Sequence, residues 1–155
     1  MRSFFLRSLL IGLVAFAPHF ASADTSYGTA AEAKAMVERA VALLKQVGPE
    51  KAFAAFSDPA NKDFHDRDLY VFVRSMDGNT VAHGVNKGMV GHTSLETKDA
   101  DGKLYNKEIM DTANAKGSGW VDYRWPNPVT KKIEPKSSFV EKTGDYVIGA
   151  GVYKP

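Results

Sequence analysis

The hydrophobic period changes from helical to strand-like after the first third of this chain, and that change limits the fold more than any other feature. From Thr29 the pattern is helical. Thr29-Ala30-Ala31-Glu32 has the form of a capping box, in which the Thr29 hydroxyl accepts from the third helical amide and Glu32 reaches back to the N-cap amide. Apolar residues then recur at Ala33, Met36, Val37, Ala40, Val41, Leu44 and Val47, a single stripe with a period of roughly 3.6 residues. Gly48 ends the stripe. Pro49 opens a second, short helix to Phe56 that presents Ala52, Phe53 and Phe56. Asp58-Pro59 closes it.

Beyond that point the signals are those of strands. Leu69-Tyr70-Val71-Phe72-Val73 is aromatic and β-branched, Asp77-Gly78 is a hairpin turn, and Thr80 to His83 is the return strand. Gly84 to Gly102 is rich in Gly, Asn, Asp and Thr and reads as loop. Tyr105 to Lys116 reads as a third helix with Tyr105, Ile109, Met110 and Ala113 inward, stopped by Gly117-Ser118-Gly119. Three strands follow: Trp120 to Trp125, Lys136 to Lys142, and Tyr146 to Tyr153, with turns at Pro126-Asn127-Pro128 and Gly144-Asp145. Gly149 and Gly151 stand inside the last one, where interior glycines mark a bulge or the close approach of another group. Short turns between strands give an antiparallel sheet of about five strands, and the helices are expected to cover one face of it. The class is α+β.

The first residues belong to a different kind of signal. Arg2 and Arg7 flank a basic start, Ser8 to Phe16 is almost wholly apolar, and Ala21-Ser22-Ala23 offers small residues for cleavage before Asp24. The apolar run falls short of the roughly 20 residues of a spanning helix. We read residues 1–23 as a cleaved secretory signal and 24–155 as one domain. The alternative is an uncleaved anchor, against which the small residues at Ala21 and Ala23 argue. The expected location is periplasmic. The chain carries 20 Lys+Arg against 18 Asp+Glu, and the excess lies in Arg2 and Arg7. The remaining domain is balanced, which argues against a nucleic-acid partner. No further apolar run is long enough to span a membrane.

Several chemistries are excluded or weak. With no cysteine, thiolate metal sites, c-type haem and cysteine nucleophiles are ruled out. There is no P-loop and no G-x-S-x-G elbow. Gly149-Ala150-Gly151 starts like a dinucleotide fingerprint, but no helix follows. Asp99-Ala100-Asp101-Gly102 looks like a calcium loop, yet Lys103 and Leu104 occupy positions that need a ligand and a glycine. His65, His83 and His92 form no helical metal pair. His83 and His92 flank a glycine-rich loop and would have to meet in space to hold a metal; otherwise they are polar residues of loops and strand ends. We expect no catalytic residues, no metal and no cofactor.

The positive signal is aromatic. Trp120, Tyr123 and Trp125 crowd one strand beside Arg124, with Lys136 on the next. Alternation puts Val121, Tyr123 and Trp125 on one face and Trp120, Asp122 and Arg124 on the other. Rings that exclude water, with a cation among them, suit a small organic anion. The same rings also suit a plain core with solvated cations, and the residues alone leave both readings open.

Tyr70-Val71-Phe72-Val73, Asp77-Gly78, Ala82-His83 and Gly91 together resemble the first half of the single Cache domain family, type 2. The block Gly119-Trp120-Val121-Asp122-Tyr123-Arg124-Trp125-Pro126-Asn127-Pro128 resembles its centre. Lys136-Ser137-Ser138-Phe139-Val140 and Val147 to Tyr153 resemble its end. The resemblance implies a PAS-like fold, with a long N-terminal helix along a central antiparallel sheet and a pocket between the sheet and the loop-and-helix segment. It implies an extracytoplasmic sensor, not an enzyme, that binds a small molecule, often an organic acid. By position, the ligand-binding residues it implies are His83, Tyr123, Trp125 and Lys136, with Tyr70 and Arg74 beside them. Lys136 would pair with a carboxylate, His83 would donate a hydrogen bond, and Tyr123 and Trp125 would form the wall.

Family sensors typically sit between two membrane helices. A cleaved signal before the domain, and Pro155 as its end, lead us to expect a free domain that reports its ligand to a membrane kinase, chemoreceptor or transporter. The alternative expectation is an accessory subunit that docks on a membrane sensor or transporter, with any small ligand secondary.

Overall fold

Residues 26–154 are described in a computed structural model. The expected signal segment, with Ala21, Ala23 and Asp24, lies outside the described residues. The helices are α1 (Ala30–Val47), α2 (Pro49–Phe56) and α3 (Tyr105–Lys116). The strands are β1 (His65–Asp66), β2 (Leu69–Ser75), β3 (Thr80–His83), β4 (Ser118–Pro126), β5 (Ile133–Thr143) and β6 (Tyr146–Tyr153). No helix among the described residues is long and apolar enough to cross a membrane.

The capping box at the start of α1 forms as its residues dictate. The Glu32 amide donates to Thr29 Oγ1 at 3.3 Å, and the Thr29 amide donates to Glu32 Oε2 at 2.7 Å. Gly48 closes the helix at φ 79°, its amide bonded to the Leu44 carbonyl. The stripe from Ala33 to Leu44 is buried. Val47 departs from expectation and is 36% exposed. It is the last residue of the helix, and there the stripe runs off the packed surface.

All strand pairings are antiparallel, in the order β1-β2-β6-β5-β4, with β3 also paired to β2. Two-residue β1 is an addition to the expected strands; it folds back on β2 through Arg67, which takes a positive φ of 54°. The other strands fall where the sequence placed them; β3 and β6 keep the expected bounds, and β2, β4 and β5 run longer. The expected loop after His83 contains a 3-10 turn at Lys87–Met89.

One expectation is overturned. The helices do not cover a single face. Helices α1 and α2 pack with Val71, Val73, Phe139, Ile148, Ala150 and Val152 on one side. Helix α3 packs with Phe72, Val121, Tyr123, Val140 and Val147 on the other. The reason is visible in β2, where every residue from Leu69 to Arg74 is buried. A strand that alternates has one wet face, whereas an unbroken apolar run is covered on both. The α+β class and the long N-terminal helix along an antiparallel sheet stand as expected.

Register fixes which side chains share the α3 face. Tyr123 lies opposite Lys136, and Lys136 opposite Tyr153. One row along, Val121 pairs with Ser138 and Ser138 with Gly151. Further on, Gly119 pairs with Val140, Val140 with Gly149, Gly149 with Phe72, and Phe72 with His83. Since side chains alternate along each strand, Trp125, Tyr70 and Arg74 join this same face.

Candidate functional site

The two glycines of β6 open the α3 face. A Cβ at Gly151 would stand 2.2 Å from Ser138 Oγ and 2.7 Å from Lys136 Cε, and one at Gly149 would stand 2.3 Å from the Phe72 ring. The bare backbone at 151 therefore leaves a channel in which the Lys136 side chain lies down on the sheet. Its ammonium ends 3.9 Å from the centroid of the Tyr70 ring, 4.7 Å from Tyr153 and 6.0 Å from Phe72. Lys136 is 1% exposed, and its Nζ has no hydrogen-bond partner. Ring faces attract a cation, but they do not replace water as acceptors. Burial accordingly pushes the ammonium well below its ordinary pKa, with the charge of buried Asp68 opposing that fall.

Arg74 is the second buried cation of this face. The register between β2 and β3 shifts between Val73 and Arg74. That irregularity sets Arg74 opposite Thr80, where Nη1 donates to Thr80 Oγ1 at 2.9 Å and also to Ser94 Oγ. Its Nε has no partner, and burial lowers its pKa. Neither Lys136 nor Arg74 forms an ion pair with a carboxylate among the described residues.

His83 ends β3, with its ring 5.0 Å from that of Tyr70. Its Nδ1 accepts from the amides of Val85 at 3.3 Å and Asn86 at 3.1 Å. With Nδ1 acting as acceptor, the proton of the neutral ring sits on Nε2. Burial, with the charges of Lys136 and Arg74 added to it, takes the ring pKa down to about 3. His83 is thus a neutral imidazole with Nε2–H as its donor.

Tyr70, Phe72, Arg74, His83, Met89, Tyr105, Tyr123 and Trp125 enclose a cavity of about 10 Å³. Tyr105 stacks on Tyr123 with centroids 4.6 Å apart, and Trp125 tilts against Tyr105 at 5.2 Å. The Tyr105 hydroxyl is buried without a partner, whereas the Tyr123 hydroxyl shares a 2.8 Å hydrogen bond with Ser138 Oγ. Outside this cavity lies an open cleft of about 620 Å³, lined by Pro59, His65, Gly84 to Lys87, Trp125 to Pro128 and Lys131.

Five residues singled out from the sequence, Tyr70, Arg74, His83, Tyr123 and Trp125, therefore line one cavity. Lys136 touches Tyr70 but is not on the cavity wall. Phe72, Met89 and Tyr105 complete the lining without having been singled out as site residues. Tyr105 carried a signal, as an aromatic on the inward stripe of α3 facing an aromatic strand. Met89 carried none, because it lies in an aperiodic loop. His92 is exposed while His83 is buried with its Nδ1 engaged by backbone amides. Among the described residues no cluster of three or more His, Asp or Glu is placed to hold a metal. Asp99 serves a turn: its Oδ1 accepts from the amides of Asp101 and Lys103, and its Oδ2 from that of Arg124 on β4.

A PAS-like sheet with a polar, ring-lined cavity on the face opposite its long helix defines a sensor-type domain. The chain belongs to the single Cache domain 2 family, whose profile matches residues 8–154. This is a family of sensory domains of chemoreceptors and kinases. Among curated relatives, a sensor histidine kinase, MctS, of Rhizobium johnstonii is 37% identical over 91 residues, covering 57% of this chain and 20% of the kinase. The chain thus spans about a fifth of that relative's length. Among solved structures, a periplasmic sensor domain of a chemotaxis protein superposes with a TM-score of 0.63 at 29% identity, covering 77% of this chain and 86% of the other. A Cache chemosensory domain solved for its carboxylic acid recognition has a TM-score of 0.62 at 21% identity, covering 77% and 84%. At that identity the likeness speaks for the fold alone.

Proposed function

We propose that this domain senses a small organic anion, a short carboxylate in the first instance, on the extracytoplasmic side of the membrane. The observation that carries the reading is the Lys136 ammonium, buried against tyrosine rings with no acceptor and no ion pair. Keeping that lysine charged without an acceptor costs several kcal/mol even after relaxation, which is why its pKa falls, and an arriving anion would offset the cost and favour the ammonium. Arg74, with Nε unpartnered, is the second counter-charge. His83 Nε2–H is the neutral donor, and Tyr70, Tyr123 and Trp125 are the walls that exclude water. Because the ammonium rests on the Tyr70 ring and not on the cavity wall, binding in this reading shifts the ring or the lysine chain. The carboxylic acid recognition of a domain with the same fold supports trying this ligand class first.

The histidine kinase relative leads us to place a membrane kinase or chemoreceptor downstream. The residue pattern of 1–23 supports cleavage after Ala23, ahead of the sensor domain. Amino-terminal sequencing of protein from the periplasmic fraction checks this; an intact Met1 in the membrane fraction would make it an anchored sensor.

The ligand reading is tested by thermal unfolding against a panel of carboxylates and amino acids, because a ligand that binds the native state raises Tm with its concentration. We expect at least one short carboxylate to do so, and Lys136→Met to remove the effect. If no carboxylate raises Tm, or if Lys136→Met leaves the hits unchanged, the reading fails.

A further inference from the structure

We propose that Trp125 is a specificity-determining residue, a movable partition between the inner cavity and the outer cleft that sets the longest carboxylate the site accepts. This rests on the reading above that the inner cavity takes a carboxylate head. Among the described residues, Trp125 is the one that lines both spaces. The inner cavity, at about 10 Å³, has room for at most a single water, which needs roughly 10–15 Å³. A carboxylate enters only if a wall gives way.

The walls differ in how firmly they are held. Tyr70, Phe72, Arg74, His83, Tyr105 and Tyr123 are all buried within the sheet or α3. Trp125 is only part-buried and stands at the end of β4, where the chain leaves the sheet at Pro126. Met89, in the 3-10 turn, is the other part-buried wall, but it does not face the cleft.

The segment Val85-Asn86, which also lines the cleft, is tied to the inner cavity, because its amides donate to Nδ1 of His83. That rim is anchored by the residue whose Nε2–H would meet the ligand. The passage past Trp125 leads into space bordered by Pro59, Pro126 and Pro128, with Lys87 and Lys131 beside them. Apolar rings at the mouth fit an alkyl tail. With Trp125 in place, the indole blocks such a tail and confines ligands to compact acids. With the indole removed, the two spaces join.

The experiment is a calorimetric series of straight-chain carboxylates from two to eight carbons, against wild type, Trp125→Phe and Trp125→Ala. The wild type should bind the short acids and lose affinity steeply as the chain lengthens. Trp125→Ala should reverse that trend, gaining roughly fourfold in affinity per added methylene. Trp125→Phe, which keeps a ring, should fall between the two. The double variant Trp125→Ala/Lys136→Met should lose the longer acids as well, which separates entry into the cavity from adsorption on the surface. Far-UV circular dichroism and Tm establish that each variant is folded, and Trp125→Leu replaces the alanine variant should that one not fold. A chain-length profile that is the same in wild type and the Trp125 variants overturns the partition while leaving the carboxylate reading intact. Long acids that bind the double variant as well as the single one also overturn it. A wild type that binds no carboxylate overturns both readings.

Discussion

His83 carries a pH dependence whose sign follows from its surroundings. Its pKa lies near 3 in the folded chain, against an ordinary value of 6.5. Between those two values the unfolded chain binds the proton that the folded chain refuses, so stability rises with pH across that window. The contribution is complete above pH 6.5 and is lost as pH falls toward 3, to an upper figure of about 5 kcal/mol. Urea unfolding at pH 7 and pH 4 should therefore show a smaller acid penalty for His83→Asn than for wild type. Lys136 makes the opposite kind of prediction. Replacing a buried cation with an apolar chain of similar length is often neutral or stabilising by about 1–4 kcal/mol, so ligand-free Lys136→Met should melt no lower than wild type. A large drop in its Tm would show that the ring contacts outweigh the cost of burial. At this scale the sequence was half legible. Tyr123, Trp125 and Lys136 declared themselves as rings and a cation on adjacent strands. Tyr70, Arg74 and His83 came only through the family resemblance, because an arginine or histidine in a strand has no spacing that marks it as buried. Met89 and Ser94 reach the site through a loop, and loops have no period to read.

The elements were more legible than the residues they carry. The capping box at Thr29 set the start of α1, and Thr29→Ala should cost about 1 kcal/mol, measured by urea unfolding. The two glycines inside β6 signal either a bulge or a close approach, and the structure shows the second: the Lys136 chain at Gly151 and the Phe72 ring at Gly149. Gly151→Ala would force its methyl against Ser138 and Lys136 and should destabilise by about 1–3 kcal/mol. If Lys136 is the anion's counter-charge, the same change should also weaken carboxylate binding, because it lifts the lysine out of its channel. A variant with lower Tm but unchanged ligand affinity would separate the channel from the site. Strand β1 was not legible, since two residues give no alternation to detect.

At the scale of the whole molecule, the order of elements and the α+β class followed from period and turn signals. The placement of the helices did not follow. Local periodicity says that α3 has an apolar stripe, but not which side of the sheet meets it. The unbroken apolar run of β2 was the one hint that both sides were covered. The sheet consequently separates two apolar clusters, one with α1 and α2 and one with α3 and the rings. The first is filled by aliphatic side chains and phenylalanines, whereas the second borders the unpartnered polar atoms of Arg74, Tyr105 and Lys136.

That partition has a temporal consequence. We expect amides on the α3 side, next to unsatisfied polar groups, to open at lower free energy than amides of α1 and the central strands. Hydrogen exchange should therefore run on two clocks, with α3 and residues 84–97 exchanging ahead of α1, β5 and β6. A bound anion should slow the first clock and leave the second unmoved, so that a ligand would be registered by quieting one side of the sheet and not the other.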